Sequence, residues 1–131
     1  MIEGVILKPN MVLPGLTCKK QDSVAEVAEA TVECLMRAVP AAVPGIAFLS
    51  GGQTPELASA RLNAMNVFAK LQSPWQLTFS FSRAIQQPAL DVWRGLQSKI
   101  VEAQVELLHR ARCNQAARCG EYSVAMENIK N

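Results

Sequence analysis

The sequence predicts an α/β fold built on a parallel sheet. Three short apolar segments near 4–8, 45–49 and 77–81 read as strands, and amphipathic helical patterns fall between and after them. This alternation of strand and helix joins parallel strands through right-handed crossovers. The first two segments are continuous apolar runs, as in strands buried on both faces.

The first strand centres on Val5-Ile6-Leu7, bounded by Gly4 and Pro9. Ser23-Val24-Ala25-Glu26 then fits a capping box, in which side chains satisfy the free N–H groups of a helix start. Val24, Val27, Thr31, Leu35 and Ala38 recur at helical spacing, and Pro40 ends the segment. Gly45-Ile46-Ala47-Phe48-Leu49 forms the second strand, closed by Ser50-Gly51-Gly52. Thr54 is a fitting N-cap, with Pro55 at the first helical position. Leu57, Leu62, Met65 and Phe68 carry that helix onward. Leu77-Thr78-Phe79-Ser80-Phe81 alternates more strictly and ends at Arg83. A final helix is expected over about 97–118, with Ile100, Leu107 and Ala111 on one face and Val101, Val105 and Leu108 beside it, ended by Gly120.

Composition supports a single globular unit. The 131 residues are 50% hydrophobic and 18% charged, which excludes a disordered tail, a collagen-like chain and a coiled coil. Thirteen Lys and Arg against eleven Asp and Glu give a net charge of +2, too little for a broad basic field. With 5% aromatic residues there is also little to stack on bases, so nucleic acid is not indicated as a partner. No apolar run has the roughly 18 residues of a membrane span. The start, Met1-Ile2-Glu3-Gly4, has no signal-peptide pattern, so an intracellular, cytoplasmic protein is expected.

The cysteines at 18, 34, 113 and 119 form no C-x-x-C pair and read as free thiols, with Cys18 and Cys119 in loops and Cys34 packed. His109 and Cys113 lie four apart on the last helix and read as a surface helix face, with no metal site. Trp75 and Trp93 read as packing residues, and Lys19-Lys20 as a solvated turn. Arg110, Arg112 and Arg118 suit a helix C-terminus without needing a partner.

Chemistry concentrates at the C-terminal ends of parallel strands. Lys8 ends the first strand, Ser50-Gly51-Gly52 the second and Ser82-Arg83 the third. A lysine desolvated among apolar groups favours its neutral amine, which can attack a carbonyl and form a Schiff base. Taken alone, a lysine at a strand end such as Lys8 is usually a snorkelling surface residue. Glycines before a helix let backbone N–H groups approach an anion, although an isolated Ser-Gly-Gly is also an ordinary tight turn. Arg83 carries a planar fork suited to phosphate oxygens, and equally to a surface salt bridge. Together the three ends suggest an amine nucleophile beside a phosphate clamp.

At this point the motifs resemble a known family. Leu7-Lys8-Pro9-Asn10-Met11-Val12, the run from Val43 to Gln53, and Phe79-Ser80-Phe81-Ser82-Arg83-Ala84 resemble class I fructose-bisphosphate aldolases in order and spacing. Leu62-Asn63-Ala64-Met65-Asn66 and Pro74-Trp75 add to the likeness, which runs from residue 2 to about 126. The Cys18 region and Ala111-Arg112-Cys113-Asn114-Gln115-Ala116 look closer to bacterial members.

The resemblance implies an eight-stranded (β/α) barrel of about 250 residues or more. Residues 1–131 would then be a single partial domain, holding the sixth to eighth strands with their helices and not the first five. It implies reversible cleavage of fructose 1,6-bisphosphate to dihydroxyacetone phosphate and glyceraldehyde 3-phosphate. It also implies a homotetramer and no cofactor, because the protonated Schiff base is the electron sink. Lys8 falls on the Schiff-base lysine; Ser50, Gly51 and Gly52 fall on the phosphate-binding turn and Arg83 on the phosphate-gripping arginine, with Ser80 a weaker contributor. Ser82 departs from the glycine or alanine of many members. The family's acid/base glutamate belongs to the missing strands, so the isolated chain is expected to be inactive and to self-associate through its open sheet edges. The competing reading is a catalytically incomplete segment that only binds sugar phosphate.

Overall fold

The computed structural model describes residues 1–129. Strands β1 (Ile6–Leu7), β2 (Gly45–Phe48) and β3 (Gln76–Phe79) form one parallel sheet in the order β1-β2-β3. Helix α1 (Val24–Ala38) connects β1 to β2, and α2 (Pro55–Ala69) connects β2 to β3. Helices α3 (Arg83–Trp93) and α4 (Ile100–Cys119) follow β3. The predicted parallel α/β order is therefore present.

The boundaries differ in instructive ways. The segment expected as strand over 4–8 shrinks to Ile6–Leu7, and Ile2–Gly4 turns as a 3-10 helix instead. Among the described residues β1 pairs only with β2, through Ile6 opposite Gly45 and Leu7 opposite Ile46, and no strand extends its other edge. The second strand stops at Phe48, one residue short of Leu49. The third starts at Gln76 and stops at Phe79, not Phe81. Pairing nevertheless continues past the ends of β2 and β3, since Leu49 N–H donates to the Pro9 carbonyl (3.0 Å) and Ser80 N–H to that of Phe48 (2.7 Å).

Alternation along the strands sorts the residues by face. Ile46, Phe48 and Leu77 face the helices and form the core with Val27, Leu62 and Met65. Ala47 and Thr78 are in register on the opposite face, and Ser80 continues that face. Continuing the alternation beyond Leu7 puts Lys8 on this same face.

Both expected N-caps form. Ser23 accepts from the Glu26 N–H while the Glu26 carboxylate accepts from that of Ser23, and Thr54 accepts from the Leu57 N–H ahead of Pro55. Glu26 is held below the ordinary carboxylate range by these hydrogen bonds from Ser23.

Helix α3 has no counterpart in the sequence reading, because Pro88 sits inside it and interrupts the helical signal. The final helix begins at Ile100, after a 3-10 turn at Gln97–Lys99, and runs to Cys119, so Cys119 ends a helix and does not lie in a loop. Gly120 terminates it in the left-handed conformation (φ 75°), as expected.

Its buried side is not the predicted apolar stripe. Val101, Leu107 and Leu108 are exposed, and the helix instead buries His109, Arg110, Cys113, Asn114 and Ala117. Cys34 is exposed beside a core stripe that runs through Thr31, Val32 and Leu35. Trp75 packs as expected, with its indole N–H donating to the Pro40 carbonyl (2.9 Å), whereas Trp93 is 41% exposed.

Candidate functional site

Parallel pairing brings the C-terminal ends of the three strands to one side of the sheet. A cleft of about 360 Å³ opens at that end, between Ser50, Gly52, Gln53 and Pro55 of one strand end and Arg83 and Ala84 of the next. Gln87, Pro88 and Asp91 of α3 complete its wall. The structure thus brings the Ser-Gly turn and Arg83 together, as their positions at adjacent strand ends suggested. Lys8, Gly51 and Ser80 do not line the cleft. Lys8 stands exposed on the sheet face shared with Ser80, so its amine is not desolvated among the residues described.

Two helices start at this cleft. Pro55 is the first residue of α2 and Arg83 the first of α3. A helix N-terminus carries partial positive charge and unpaired N–H groups, which favour an anion. Thr54 caps α2, but no side chain caps α3. The N-cap residue Ser82 has φ −102° and so lies outside the left-handed region that favours glycine. Among the described residues Arg83 is exposed and forms no ion pair, which sets aside the surface salt-bridge reading. Its guanidinium is available to the cleft.

The turn itself is tightly specified. Gly51 and Gly52 have φ +59° and +80°, a region costly for residues with a Cβ. A Cβ on Gly51 would also lie 2.2 Å from the Asn10 side-chain oxygen. Asn10, two residues beyond Lys8, therefore packs against the turn backbone, and its oxygen accepts from the Met11 N–H (2.9 Å). The Ser50 carbonyl accepts from the Gln53 N–H (3.1 Å) and from the Gln53 side-chain amide (2.8 Å).

A second cluster forms between α2, α4 and the segment that follows α4. Arg110, 1% exposed, pairs with Glu127 and donates to Ser59 Oγ (2.8 Å) and the Pro55 carbonyl (3.3 Å). Tyr122 donates to the other oxygen of Glu127 (2.7 Å). The arginine expected at a solvated helix end is instead a buried strut between α2 and the terminal 3-10 turn at Val124–Asn128. His109 and Cys113, expected on a surface face, are buried beside it, and with Glu127 they place three ligand-type atoms within 4.8 Å of one another. The carboxylate is already committed to Arg110 and Tyr122, and a second cation beside Arg110 would be repelled. Burial and the neighbouring Glu127 charge push both the Cys113 thiol and the Tyr122 phenol up, so neither favours the anion a metal would need.

These features define a parallel α/β segment with a cleft between two helix N-termini at the strand ends and a lysine at the end of the neighbouring strand. The chain belongs to the class I fructose-bisphosphate aldolase family: the model of "Fructose-bisphosphate aldolase class-I" matches residues 1–131. It is 51% identical over 121 residues to fructose-bisphosphate aldolase B of Sparus aurata, covering 92% of this chain and 33% of that protein. It is 49% identical over 123 residues to "Probable fructose-bisphosphate aldolase class 1" of Xylella fastidiosa, covering 93% and 36%. Animal and bacterial relatives thus match to a similar degree. The solved fructose-bisphosphate aldolase of Plasmodium falciparum, in complex with TRAP and a small-molecule inhibitor, superposes with a TM-score of 0.87 at 44% identity over 93% of this chain and 35% of that one. The chain spans about a third of the length of the curated relatives it matches.

Among the described residues no helix is long and apolar enough to cross a membrane.

Proposed function

We propose that residues 1–131 supply the Schiff-base lysine and one phosphate clamp of a class I fructose-bisphosphate aldolase acting on fructose 1,6-bisphosphate and triose phosphates. The three strands then correspond to the sixth to eighth of a (β/α)8 barrel, as one partial domain. The whole enzyme is taken to be a cytoplasmic homotetramer. The observation that carries the reading is the cleft shared by Ser50, Gly52 and Arg83, next to the strand end that bears Lys8.

In this reading the Lys8 amine attacks the substrate ketone, and loss of water leaves a protonated imine. That cation draws electrons from the adjacent carbon–carbon bond, which can then break. The Ser50–Gly52 backbone and Arg83 hold the phosphate so that the ketone stays within reach of Lys8, with Ser80 on the same sheet face as the amine. Cleavage also needs a base for the leaving hydroxyl proton. No carboxylate pairs with Lys8 among the described residues. The binding-only alternative therefore rests on a specific observation.

Imine formation can be tested without that base. Incubation with dihydroxyacetone phosphate and borohydride, followed by peptide mass spectrometry, is expected to locate a reduced adduct on Lys8. An adduct on other lysines alone would overturn the assignment. Phosphate binding without any adduct would favour the binding-only alternative. Removing the guanidinium by Arg83→Ala is expected to weaken dihydroxyacetone phosphate binding roughly 10- to 100-fold, the worth of a charge-assisted hydrogen bond. Calorimetric titration reads this, and an unchanged affinity would remove Arg83 from the clamp.

A further inference from the structure

The phosphate turn is braced from behind by a buried cation that lies outside the cleft. Arg61, on α2, is 4% exposed. It donates through Nη1 to Gln53 Oε1 (3.0 Å) and through Nη2 to the Asp22 carbonyl (3.0 Å). Its Nε has no partner among the described residues. Gln53 in turn donates from Nε2 to the Ser50 carbonyl (2.8 Å) and touches the Met11 sulfur (3.4 Å).

The direction of this chain is fixed by chemistry. A guanidinium can only donate, so it draws the Gln53 amide oxygen toward itself. The amide NH2 must then face Ser50, whose carbonyl accepts it. A neutral residue in place of Arg61 would let the amide turn over and set oxygen against oxygen at Ser50. Burying a cation is costly unless its hydrogen bonds repay it. Burial pushes the Arg61 guanidinium down from its ordinary value while Asp22 draws it back up. A buried charge with one orphaned N–H contributes little stability for its cost, whereas it sets the geometry of two loops at once. Asp22 ends the loop that follows Lys8, and Leu16 of that loop packs 3.4 Å from where a Cβ of Gly52 would stand.

We propose that Arg61 is a positioning residue for phosphate recognition, acting through Gln53 to hold the Ser50–Gly52 turn and the loop after Lys8 in one arrangement. It touches no substrate. The proposal rests on the phosphate-clamp reading above and adds the residue pair that tunes it.

The test uses the 131-residue chain and the variants Arg61→Met and Gln53→Glu. The first removes the fork at similar bulk. The second keeps a partner for Arg61, and therefore the buried pairing, but can no longer donate to Ser50. Inorganic phosphate is titrated while the amide resonances of Ser50, Gly51 and Gly52 are followed. In parallel, borohydride trapping at Lys8 is compared for dihydroxyacetone phosphate and for dihydroxyacetone, which lacks the phosphate. Each variant is expected to lose roughly tenfold in phosphate affinity, about one hydrogen bond's worth. In both variants dihydroxyacetone trapping should be unchanged.

Unaltered phosphate affinity in both variants would overturn the proposal. So would an equal fall with both ketones, which marks a purely structural role, or a wild-type turn that does not respond to phosphate. Arg61-dependent phosphate binding without any Lys8 adduct would sustain this proposal while refuting the Schiff-base assignment.

Discussion

Replacing Lys8 by methionine is expected to abolish the borohydride-trapped adduct while leaving phosphate binding in place. Methionine keeps the length of the side chain and removes the amine. Lys8 is exposed and unpaired among the described residues, so folding should change by no more than about 0.5 kcal/mol. Lys8→Arg separates charge from nucleophilicity: it keeps a cation at the strand end, but guanidinium stays protonated and forms no imine. Both variants should therefore be silent in the trapping assay, and both should still titrate with inorganic phosphate at Ser50–Gly52. Equal adduct yield from wild type and Lys8→Met would show that the nucleophile lies elsewhere. Loss of phosphate binding as well would show that Lys8 works chiefly as a counter-charge.

The largest effect on stability is expected at Glu127. It is the only ionic partner described for Arg110, whose side chain is 2% exposed. Glu127→Ala leaves that cation buried and uncompensated, which costs about 3–5 kcal/mol. Arg110→Met should cost less, because Glu127 is 16% exposed and can turn to water. Combining Arg110→Met with Glu127→Gln should recover part of the loss of Glu127→Ala, since an apolar or neutral pair carries no stranded charge. Denaturant midpoints of the three variants give this order directly, and an unchanged midpoint for Glu127→Ala would contradict it.

The same pair sets an acid limit. Burial works against the Glu127 charge, but hydrogen bonds from Arg110 and Tyr122 outweigh it and hold the carboxyl below its ordinary value of 4.5. A carboxyl depressed in the folded state contributes stability that is fully present above its unfolded value. That stability is lost as pH falls through the folded value. Stability should therefore fall below about pH 4.5 in wild type, and the Glu127→Gln variant should lose less over that interval.

The glycine turn was legible because its residue types are chemically costly elsewhere. Two successive glycines before Thr54-Pro55 mark a left-handed turn entering a helix, and the structure has both glycines at positive φ. Arg83 was legible as a strand-end arginine, although not as the start of a helix, because Pro88 obscured α3. A desolvated Lys8, the alternative to a snorkelling surface lysine, requires apolar walls on several sides. The three strands described here supply only one side, and the lysine stands in solvent. Arg61 carries no sequence signal, and Arg110 reads as a partnerless helix-end cation, because a charged residue within a helix reads as solvent-facing by default. A usable signal was present for Arg110, which the small or polar residues Cys113, Asn114 and Ala117 follow at helical spacing.

By itself the sequence determined the order of the three strands and of every helix but α3, both N-caps, the glycine turn and the family. Each of these depends on local geometry or on short motifs whose physics is complete within a few residues. Only the tertiary structure decided which charges are buried. The Arg61–Gln53–Ser50 chain spans α2 and the turn before it, and reaches back to Asp22; the Arg110–Glu127 pair joins residues seventeen positions apart. Whether a guanidinium meets water or a carbonyl depends on which helix lies across from it, and one-dimensional spacing carries no record of that.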